Sequence, residues 1–464
     1  MQLRDQNFVF DHNLIRRFDV SGPRYTSYPT ADRFHEQLTA PVWSRHLKGH
    51  GSRGVGTALS LYFHIPFCDT VCYYCACNKV ITKDRARAGR YLDYLEKEMA
   101  LVDGLLGGPR QVSQMHWGGG TPTFLNDAEI ERLCSAIRRH FEFAPDGEYS
   151  IEVDPRKVSA ETVALLAAQG FNRMSVGVQD FHPEVQKAVN RIQSVDETAS
   201  VIAAARANKF SSISIDLIYG LPLQTVERVA GTLDRVLEIA PDRLALYNYA
   251  HLPGRFMPQR RIKAEELPSP QEKLDILGMA IERLTNAGYV YIGMDHFAKP
   301  DDELSVAQQE GRLYRNFQGY STHSECDLLA FGTTAIGKVG NAYAQNEKTL
   351  EGYYAALDRD ELPIVRGYEM SKDDQLRYAV IQSLMCNFML SYEDFEREYG
   401  IRFSEYFSVE LDALRGYAEA GLCELAPDGM QVTPQGRMLV RVLAMAFDRY
   451  LREAQTSARY SKVI

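Results

Sequence analysis

The sequence predicts an α/β protein whose largest part is a complete or partial parallel (β/α) barrel. Short runs rich in β-branched and aromatic residues alternate with longer stretches whose apolar residues recur with the helical period. Strands that alternate with helices form parallel sheets with right-handed crossovers, so these repeated units favour a barrel. We therefore predict an N-terminal arm over residues 1–57, a barrel domain over 58–370 and a mainly helical C-terminal domain over 371–464.

The elements of the first two segments follow in order. The arm shows little periodicity, and its segment 21–34 is typical of an ordered arm or loop because it is rich in Gly, Pro, Ser and Tyr. Seven strands are then predicted, over residues 58–65, 111–117, 148–153, 172–179, 212–220, 243–249 and 289–294. The predicted helices lie across 85–106, from about 127, from about 160, as two short helices after 179, and across 226–239 and 271–287.

The pattern changes to helices from about Met370. The piece 421–440 predicts a small β-hairpin inserted between helices, because its DGMQVTPQG stretch supplies turn residues. We interpret 371–464 as a winged-helix-like or helical cap domain.

Composition narrows the class of protein. With 464 residues and a net charge of −9, the chain has no basic stripe with interleaved aromatics, which argues against a general nucleic-acid partner. No run of about 18 apolar residues predicts a membrane span, and the first residues lack the apolar core of a signal peptide. Free cysteines without an export signal predict a cytoplasmic location. No exposed heptad indicates an interface, so we expect a monomer.

Four cysteines lie within ten residues, in the run HIPFCDTVCYYCACNK: Cys68, Cys72, Cys75 and Cys77. A disulfide framework is the weakest interpretation, because no paired pattern is visible. Zinc is possible, although zinc sites usually combine two pairs from separate turns. An iron–sulfur cluster fits the compact C-x3-C-x2-C spacing best, because one loop can wrap three corners of a cube. If the loop supplies three thiolates to a [4Fe–4S] cube, one iron stays open for a substrate or cofactor.

Each predicted strand of the barrel ends in a polar residue or in a glycine-rich segment. Active sites of parallel barrels form at these strand ends. The glycines of GGGTP (118–122) can serve as a flexible turn or let the backbone approach a ligand. Glu152 is either a solvated carboxylate or a ligand contact, and Arg191 is either an ordinary helix cation or a site residue. Asp216 lies in the apolar strand SISIDLIYG, where a buried carboxylate needs donors such as ribose hydroxyls or an arginine.

Two of these motifs resemble those of a known superfamily. C-x3-C-x2-C with an aromatic residue, Tyr74, just before the third cysteine resembles the signature of the radical S-adenosylmethionine (SAM) enzymes, and GGGTP resembles their motif for the SAM amino group. The resemblance implies a barrel of the radical SAM type and a [4Fe–4S] cluster whose open iron is chelated by SAM. It also implies that one electron cleaves SAM to a 5′-deoxyadenosyl radical, which takes a hydrogen from the substrate.

A closer resemblance covers nearly the whole chain. The segments SGPRYTSYPTA, HIPFCDTVCYYCACNK, HWGGGTPT, IEVDPR, MSVGVQDF, NRIQ, IDLIYGLP and MLVRVLAMAFD together resemble the bacterial family of oxygen-independent coproporphyrinogen III oxidases. This resemblance implies decarboxylation of two propionates of coproporphyrinogen III to vinyl groups, giving protoporphyrinogen IX for haem synthesis. It further implies two SAM molecules and an electron donor, such as a reduced flavodoxin-like protein. The four substrate carboxylates call for cationic anchors, and Arg24, in an arm that could fold over the cavity, is a candidate.

The resemblance also implies site residues, although it assigns no catalytic side chain. The iron ligands would be Cys68, Cys72 and Cys75, and Cys77 is not expected to be a ligand. The residues that would contact the SAM on the open iron are Tyr62, Gly119, Glu152 and Ile336. Those that would line the second SAM site are Tyr74, Gly120, Thr121, Gln179, Arg191, Asp216 and Ala250.

Two alternatives stay open. The haem chaperone branch of the same superfamily has a related barrel and the three cluster cysteines, but it binds haem without decarboxylating it. The front arm and Cys77 favour the oxidase, because chaperone-like relatives usually lack both. A zinc-stabilised interaction protein is the non-enzymatic alternative.

Overall fold

The computed structural model describes residues 9–52, 58–453, 460 and 462. The first eight residues, part of the segment predicted to lack a signal peptide, lie outside the described residues. The predicted end of the arm at residue 57 also lies outside them. Contacts divide the chain into two compact units. The first unit comprises Phe34–Ile276 and Glu325–Glu369, and the second comprises Met1–Arg33, Leu277–Ser324 and Met370–Ile464. The domain boundaries after residues 57 and 370 stay predictions.

The elements are numbered along the chain. The strands are β1 (Leu59–Ile65), β2 (Phe67–Cys68), β3 (Val80–Ile81), β4 (Gln111–Gly119), β5 (Glu142–Val153), β6 (Arg173–Gln179), β7 (Ser212–Tyr219), β8 (Arg243–Asn248), β9 (Val290–Gly293), β10 (His296–Ala298), β11 (Tyr314–Asn316), β12 (Gly319–Ser321), β13 (Asp327–Phe331), β14 (Ile336–Val339), β15 (Ala342–Asn346), β16 (Ile364–Glu369), β17 (Met389–Ser391), β18 (Cys423–Ala426) and β19 (Gly429–Val432). The helices are α1 (His12–Phe18), α2 (Ala40–Lys48), α3 (Ala86–Leu105), α4 (Asp127–His140), α5 (Ala160–Ala168), α6 (Pro183–Ala188), α7 (Val195–Ala207), α8 (Val226–Ile239), α9 (Pro270–Asn286), α10 (Glu303–Gln309), α11 (Leu350–Asp358), α12 (Lys372–Asn387), α13 (Tyr392–Tyr399), α14 (Phe403–Tyr406), α15 (Ser408–Glu419), α16 (Val440–Met445) and α17 (Arg449–Glu453).

The first unit is built on one sheet. Its strands lie in the order β16-β15-β14-β13-β1-β4-β5-β6-β7-β8. The run from β13 through β1 and β4 to β8 is parallel throughout, whereas β14, β15 and β16 join β13 in antiparallel pairs. Helices α3, α4, α5, α7 and α8 connect strands of the parallel run, as right-handed crossover units require. The prediction of an α/β fold with a partial parallel barrel is confirmed.

Alternation along the parallel strands separates an apolar face from a polar one. On β1, for example, Leu61, Phe63 and Ile65 have no exposed surface, and the Phe63 ring stacks on Phe331 at 4.9 Å between centroids. The residues between them, such as Tyr62, pair in register with His116, and His116 pairs with Ser150. One face of the sheet therefore packs in the core while the opposite face carries polar side chains, which positions them together.

The prediction that residues 289–294 form a seventh strand of the parallel run is wrong. Residues 290–293 form β9, which lies in the second unit and pairs antiparallel with β10. The chain reverses directly after Gly293 because Met294 takes a left-handed conformation with φ of 54°. The seventh parallel strand is instead β13, which pairs with β1.

The second unit is mainly helical. Helices α12 to α17 accompany a three-stranded sheet in the order β17-β19-β18, and the predicted hairpin at 421–440 is confirmed as β18–β19. The part of the predicted arm before Phe34 is held within this unit, since the Tyr25 hydroxyl donates to Asp448 at 3.0 Å and Arg441 Nε donates to the Pro23 carbonyl at 3.0 Å. Of the helices that the structure describes, none combines the length and the hydropathy that a membrane-spanning segment needs.

A buried carboxylate ties four elements of the first unit together. Glu98 on α3 is 2% exposed and accepts hydrogen bonds from the Gly332 N–H at 2.8 Å, from Asn346 Nδ2 at 2.6 Å and from the Tyr353 hydroxyl at 2.6 Å. Burial raises the pKa of Glu98 to about 7, although the three donors pull it down. The network therefore joins α3 to the turn after β13, to β15 and to α11.

We expect the Glu98→Gln substitution to destabilise the fold. Glutamine offers one acceptor oxygen in place of two, and its amide N–H groups would face obligate donors, which costs about 1–3 kcal/mol of unfolding free energy. Because the folded pKa lies above the unfolded value of 4.5, protonation of Glu98 contributes stability below pH 4.5 that is lost as the pH rises through 7. The deficit of the variant should therefore be largest near pH 5 and smaller near pH 8.

Denaturant unfolding across this pH range measures the effect. The exposed Glu131→Gln substitution on α4 is the matched control and should leave stability and its pH dependence unchanged. A Glu98→Gln deficit that is constant with pH would contradict the raised pKa.

Candidate active site

The cysteine loop begins where β1 ends. β2 pairs in parallel with β3, and the Val80 N–H donates to the Pro66 carbonyl at 2.7 Å while the Thr82 N–H donates to the Cys68 carbonyl at 3.0 Å. These bonds close the loop at its base. Within it, the Cys75 N–H donates to the Cys72 carbonyl at 3.2 Å, and Lys79 Nζ donates to the Cys75 carbonyl at 3.1 Å. A single closed loop thus presents the thiols of the first three cysteines.

These thiols line a cavity of about 280 Å³ at the carboxyl ends of the parallel strands. Of the fourteen site residues that the sequence suggests, eleven line it: Cys68, Cys72, Tyr74, Cys75, Gly119, Gly120, Thr121, Glu152, Gln179, Arg191 and Asp216. Cys77 also lines this cavity. The convergence supports the expectation of a shared polar cavity, because these residues come from five strands (β2, β4, β5, β6 and β7) and from the loops that follow them.

The other three suggested residues do not line the cavity. The Tyr62 hydroxyl lies 3.1 Å from His64 Nδ1, and the Tyr62 ring stacks on His116. The Ala250 carbonyl accepts a hydrogen bond from Gln259 at 3.2 Å. Ile336 is the half-buried first residue of β14. Their roles stay predictions.

The end of β4 passes close to the cysteine loop, and only glycine fits there. Gly119 has φ of 116°, and a Cβ atom on it would lie 2.7 Å from the His64 ring. The Gly120 N–H donates to the Ile65 carbonyl at 2.8 Å, and a Cβ atom there would lie 2.7 Å from the Pro66 carbonyl. The backbone of β4 therefore borders the cavity directly.

Glu152 at the end of β5 faces this glycine segment. One carboxylate oxygen accepts a hydrogen bond from the Gly119 N–H at 3.3 Å, and the other lies 3.2 Å from His116 Nε2. The opposite ring nitrogen of His116 lies 2.5 Å from the Ser150 hydroxyl, which orients the imidazole. Sequence reasoning did not assign His116; its position two residues before Gly118, at the end of a predicted strand, was the available signal.

Arg191 is a buried cation against the cysteine loop. It is 7% exposed, and its Nη1 atom lies 3.7 Å from Cys72 Sγ and 3.4 Å from Asp154 Oδ2. Its Nε atom is buried with no hydrogen-bond partner among the described residues, so the guanidinium retains a donor for a ligand. Asp154 was missed by sequence reasoning. Burial raises the pKa of Asp154, but the hydrogen-bonded Arg156 guanidinium outweighs burial and holds this pKa below its usual value.

Asp216 lies on β7, deep in the same cavity. The Ser175 hydroxyl donates to it at 3.0 Å. Burial, reinforced by the negative charge of Glu152, raises the pKa of Asp216 to about 7. A ligand with hydroxyl donors would favour the ionised form of this carboxylate. At the end of the neighbouring strand β6, Gln179 takes a left-handed conformation with φ of 70°.

Comparisons with known proteins agree with this geometry. A family model described as the radical SAM superfamily matches residues 62–236, and one described as the HemN C-terminal domain matches residues 370–439. The oxygen-independent coproporphyrinogen III oxidase of Pseudomonas aeruginosa is 51% identical over 98% of this chain and 99% of its own length. The enzyme of the same name from Escherichia coli is 49% identical over 99% of both chains.

A solved structure of coproporphyrinogen III oxidase from Escherichia coli, described as a radical SAM enzyme, superposes with a TM-score of 0.91. It is 48% identical and covers 96% of this chain and 100% of its own. The fold and the cysteine-lined cavity thus define a radical SAM protein. Within that superfamily, the chain belongs to the family of oxygen-independent coproporphyrinogen III oxidases.

Proposed function

We propose that this protein is a radical SAM oxidoreductase that decarboxylates two propionate side chains of coproporphyrinogen III to vinyl groups without oxygen, giving protoporphyrinogen IX. One observation carries this proposal. Three thiols of one closed loop share a cavity with the glycine segment, two carboxylates and a buried arginine, in a chain that matches oxidases of this name over nearly its full length.

The cofactors of this class, a [4Fe–4S] cluster and two molecules of SAM, fit the cavity. Three thiols suit a cube with one open iron, and the close backbone approach at Gly119 and Gly120 leaves room for an amino acid's ends. The Arg191 Nε atom supplies an unused donor. When bound, the cluster and SAM supply a carbon radical that can remove a hydrogen from an unactivated C–H bond. Such chemistry is needed because a propionate β-carbon has no acidic hydrogen.

The proposed assignments follow the sequence prediction. Cys68, Cys72 and Cys75 hold the cluster. Glu152 accepts hydrogen bonds from the amino group of the first SAM, because it already faces one amide N–H. Asp216 and Arg191 bind the second SAM, the former through ribose hydroxyls. The full sets are, for the first SAM, Tyr62, Gly119, Glu152 and Ile336, and for the second, Tyr74, Gly120, Thr121, Gln179, Arg191, Asp216 and Ala250.

Further parts of the proposal concern partners and location. We propose a monomer that receives electrons from a reduced redox protein and works in the cytoplasm. The eight cysteines are unpaired in the structure, which supports a reducing compartment. The Arg24 guanidinium forms an ion pair with Asp295 within the second unit, so a role as substrate anchor requires exchange of that partner. Closure of the arm over the cavity stays a proposal.

Anaerobic product analysis tests the function. Protein reconstituted with iron and sulfide should convert coproporphyrinogen III to protoporphyrinogen IX in the presence of SAM and dithionite, with two CO2 released per tetrapyrrole. Omission of SAM is the control and should stop the reaction. Stoichiometric haem binding without any CO2 release would instead support a haem chaperone, which the names of the full-length relatives do not favour.

A further inference from the structure

We infer that an exposed basic loop beside the cysteine loop is the docking surface for an acidic one-electron redox protein. This inference rests on the proposed function, which requires an electron donor. The loop, residues 251–263, is called the docking loop here; it follows β8 and Ala250 in the first unit. Its sequence, HLPGRFMPQRRIK, contains four cationic residues and no acidic one, in a chain with a net charge of −9.

The docking loop is fastened to the cysteine loop. Gln259 is 1% exposed, and its amide nitrogen donates to the Tyr74 carbonyl at 3.0 Å and to the Ala250 carbonyl at 3.2 Å. Its amide oxygen accepts a hydrogen bond from the Leu252 N–H at 2.6 Å. Ile262 is buried in an apolar cluster against which Tyr73 and Tyr74 pack. A partner on this loop is therefore held at a fixed position relative to the cluster ligands.

Three cations of the docking loop are not neutralised. Arg255, Arg260 and Arg261 are exposed, and no carboxylate in the described part of the chain forms an ion pair with them. Arg261 lies over the ring of Tyr73, 5.3 Å from its centroid, directly on the cysteine loop. Lys263, by contrast, is paired with Glu266 at 2.7 Å. A positive surface raises the encounter rate with an acidic partner, while the net negative charge of the rest of the protein repels that partner elsewhere.

Apolar side chains complete the surface. Met257 is 71% exposed and Leu252 is 43% exposed. Methionine and arginine are enriched at protein interfaces, and the flexible thioether adapts to a partner's shape. A small carboxylate ligand would instead be held in a concave pocket that buries most of its surface. Exposed cations around an exposed methionine therefore favour a protein partner over the tetrapyrrole.

The redox step balances for a one-electron donor. In each productive encounter the partner's reduced cofactor loses one electron, and the cluster held by Cys68, Cys72 and Cys75 gains it. No bond is formed or broken in this step, and no further reductant is needed.

The test compares two reductants and measures binding directly. The holoenzyme carries Arg255→Glu and Arg260→Glu together, or Met257→Asp alone, and reduced flavodoxin serves as an acidic redox partner. Anaerobic equilibrium binding should show Kd for flavodoxin raised about tenfold or more by the double charge reversal, with a weaker dependence on NaCl. Flavodoxin-driven turnover should fall in parallel, whereas dithionite-driven turnover should stay unchanged.

The control reverses two exposed cations of the second unit, Arg397→Glu and Arg402→Glu, which change net charge equally. This variant should bind flavodoxin as the unmodified protein does. Unchanged flavodoxin affinity in the docking-loop variants, or a raised KM for coproporphyrinogen III alone, would overturn the inference. Equal loss with both reductants would also overturn it, by making the loop a structural support. An unmodified holoenzyme inactive even with dithionite would refute the proposed function, leaving the binding measurement to decide on the docking surface.

Discussion

Replacing Cys72 with serine is expected to remove the iron–sulfur absorption and all turnover. Cys72 is 9% exposed and lies against the Arg191 guanidinium at the centre of the closed loop. Because the proposed loop supplies only three thiolates, loss of one leaves a cube with too few protein ligands, and a serine hydroxyl is a poor replacement for a soft thiolate. Iron and acid-labile sulfide in anaerobically purified protein, the visible spectrum, and CO2 release measure the effect.

Two other cysteines provide matched controls. Cys134 is buried on α4, outside the cavity, and Cys134→Ala should keep both iron and turnover at slightly reduced stability. Cys77→Ser is the sharper comparison, because Cys77 lines the cavity but is not a proposed ligand. It should retain the cluster. An iron content that survives in Cys72→Ser but falls in Cys77→Ser would reverse the ligand assignment, and zinc in place of iron would remove the cluster altogether.

Replacing Gly119 with alanine should strongly weaken SAM binding. Alanine at φ of 116° is strained by about 1–2 kcal/mol, and its Cβ atom would lie 2.7 Å from the His64 ring. The backbone or the imidazole must therefore move, and a shift of the backbone displaces the Gly119 N–H that donates to the Glu152 carboxylate. Since 1.4 kcal/mol corresponds to tenfold in affinity, we expect Kd for SAM to rise about tenfold or more. Equilibrium binding of SAM to the reconstituted protein measures this change.

A second glycine separates local strain from a general effect. Gly231 lies within α8, and a Cβ atom on it would meet no heavy atom within 4 Å. Gly231→Ala should leave SAM binding unchanged and stabilise the helix by about 1 kcal/mol. Should Gly119→Ala bind SAM as tightly as the unmodified protein while unfolding at a lower temperature, the glycine would be a packing requirement and not part of the cofactor site.

Many residues that line the cavity were predictable because their signals are local in sequence. The C-x3-C-x2-C spacing allows one loop to present three thiols, and the glycines after a strand mark a place where the backbone can approach a ligand. Glu152, Gln179 and Asp216 were found because parallel strands bring their carboxyl ends to the same edge. Asp154 and His116 were missed, since their importance comes from contacts with Arg191 and Glu152 that lie far away along the chain.

The amino-acid sequence by itself determined the alternation of strands and helices, the cysteine loop and the residues that follow each strand, because propensity and spacing act over a few residues. Only the tertiary structure decided that β13 and not residues 289–294 would join the parallel run. The same holds for Glu98, which was invisible in the sequence until Gly332, Asn346 and Tyr353 surrounded it. Strand neighbours and buried polar networks depend on which distant surfaces exclude water from each other, and no local pattern encodes that choice.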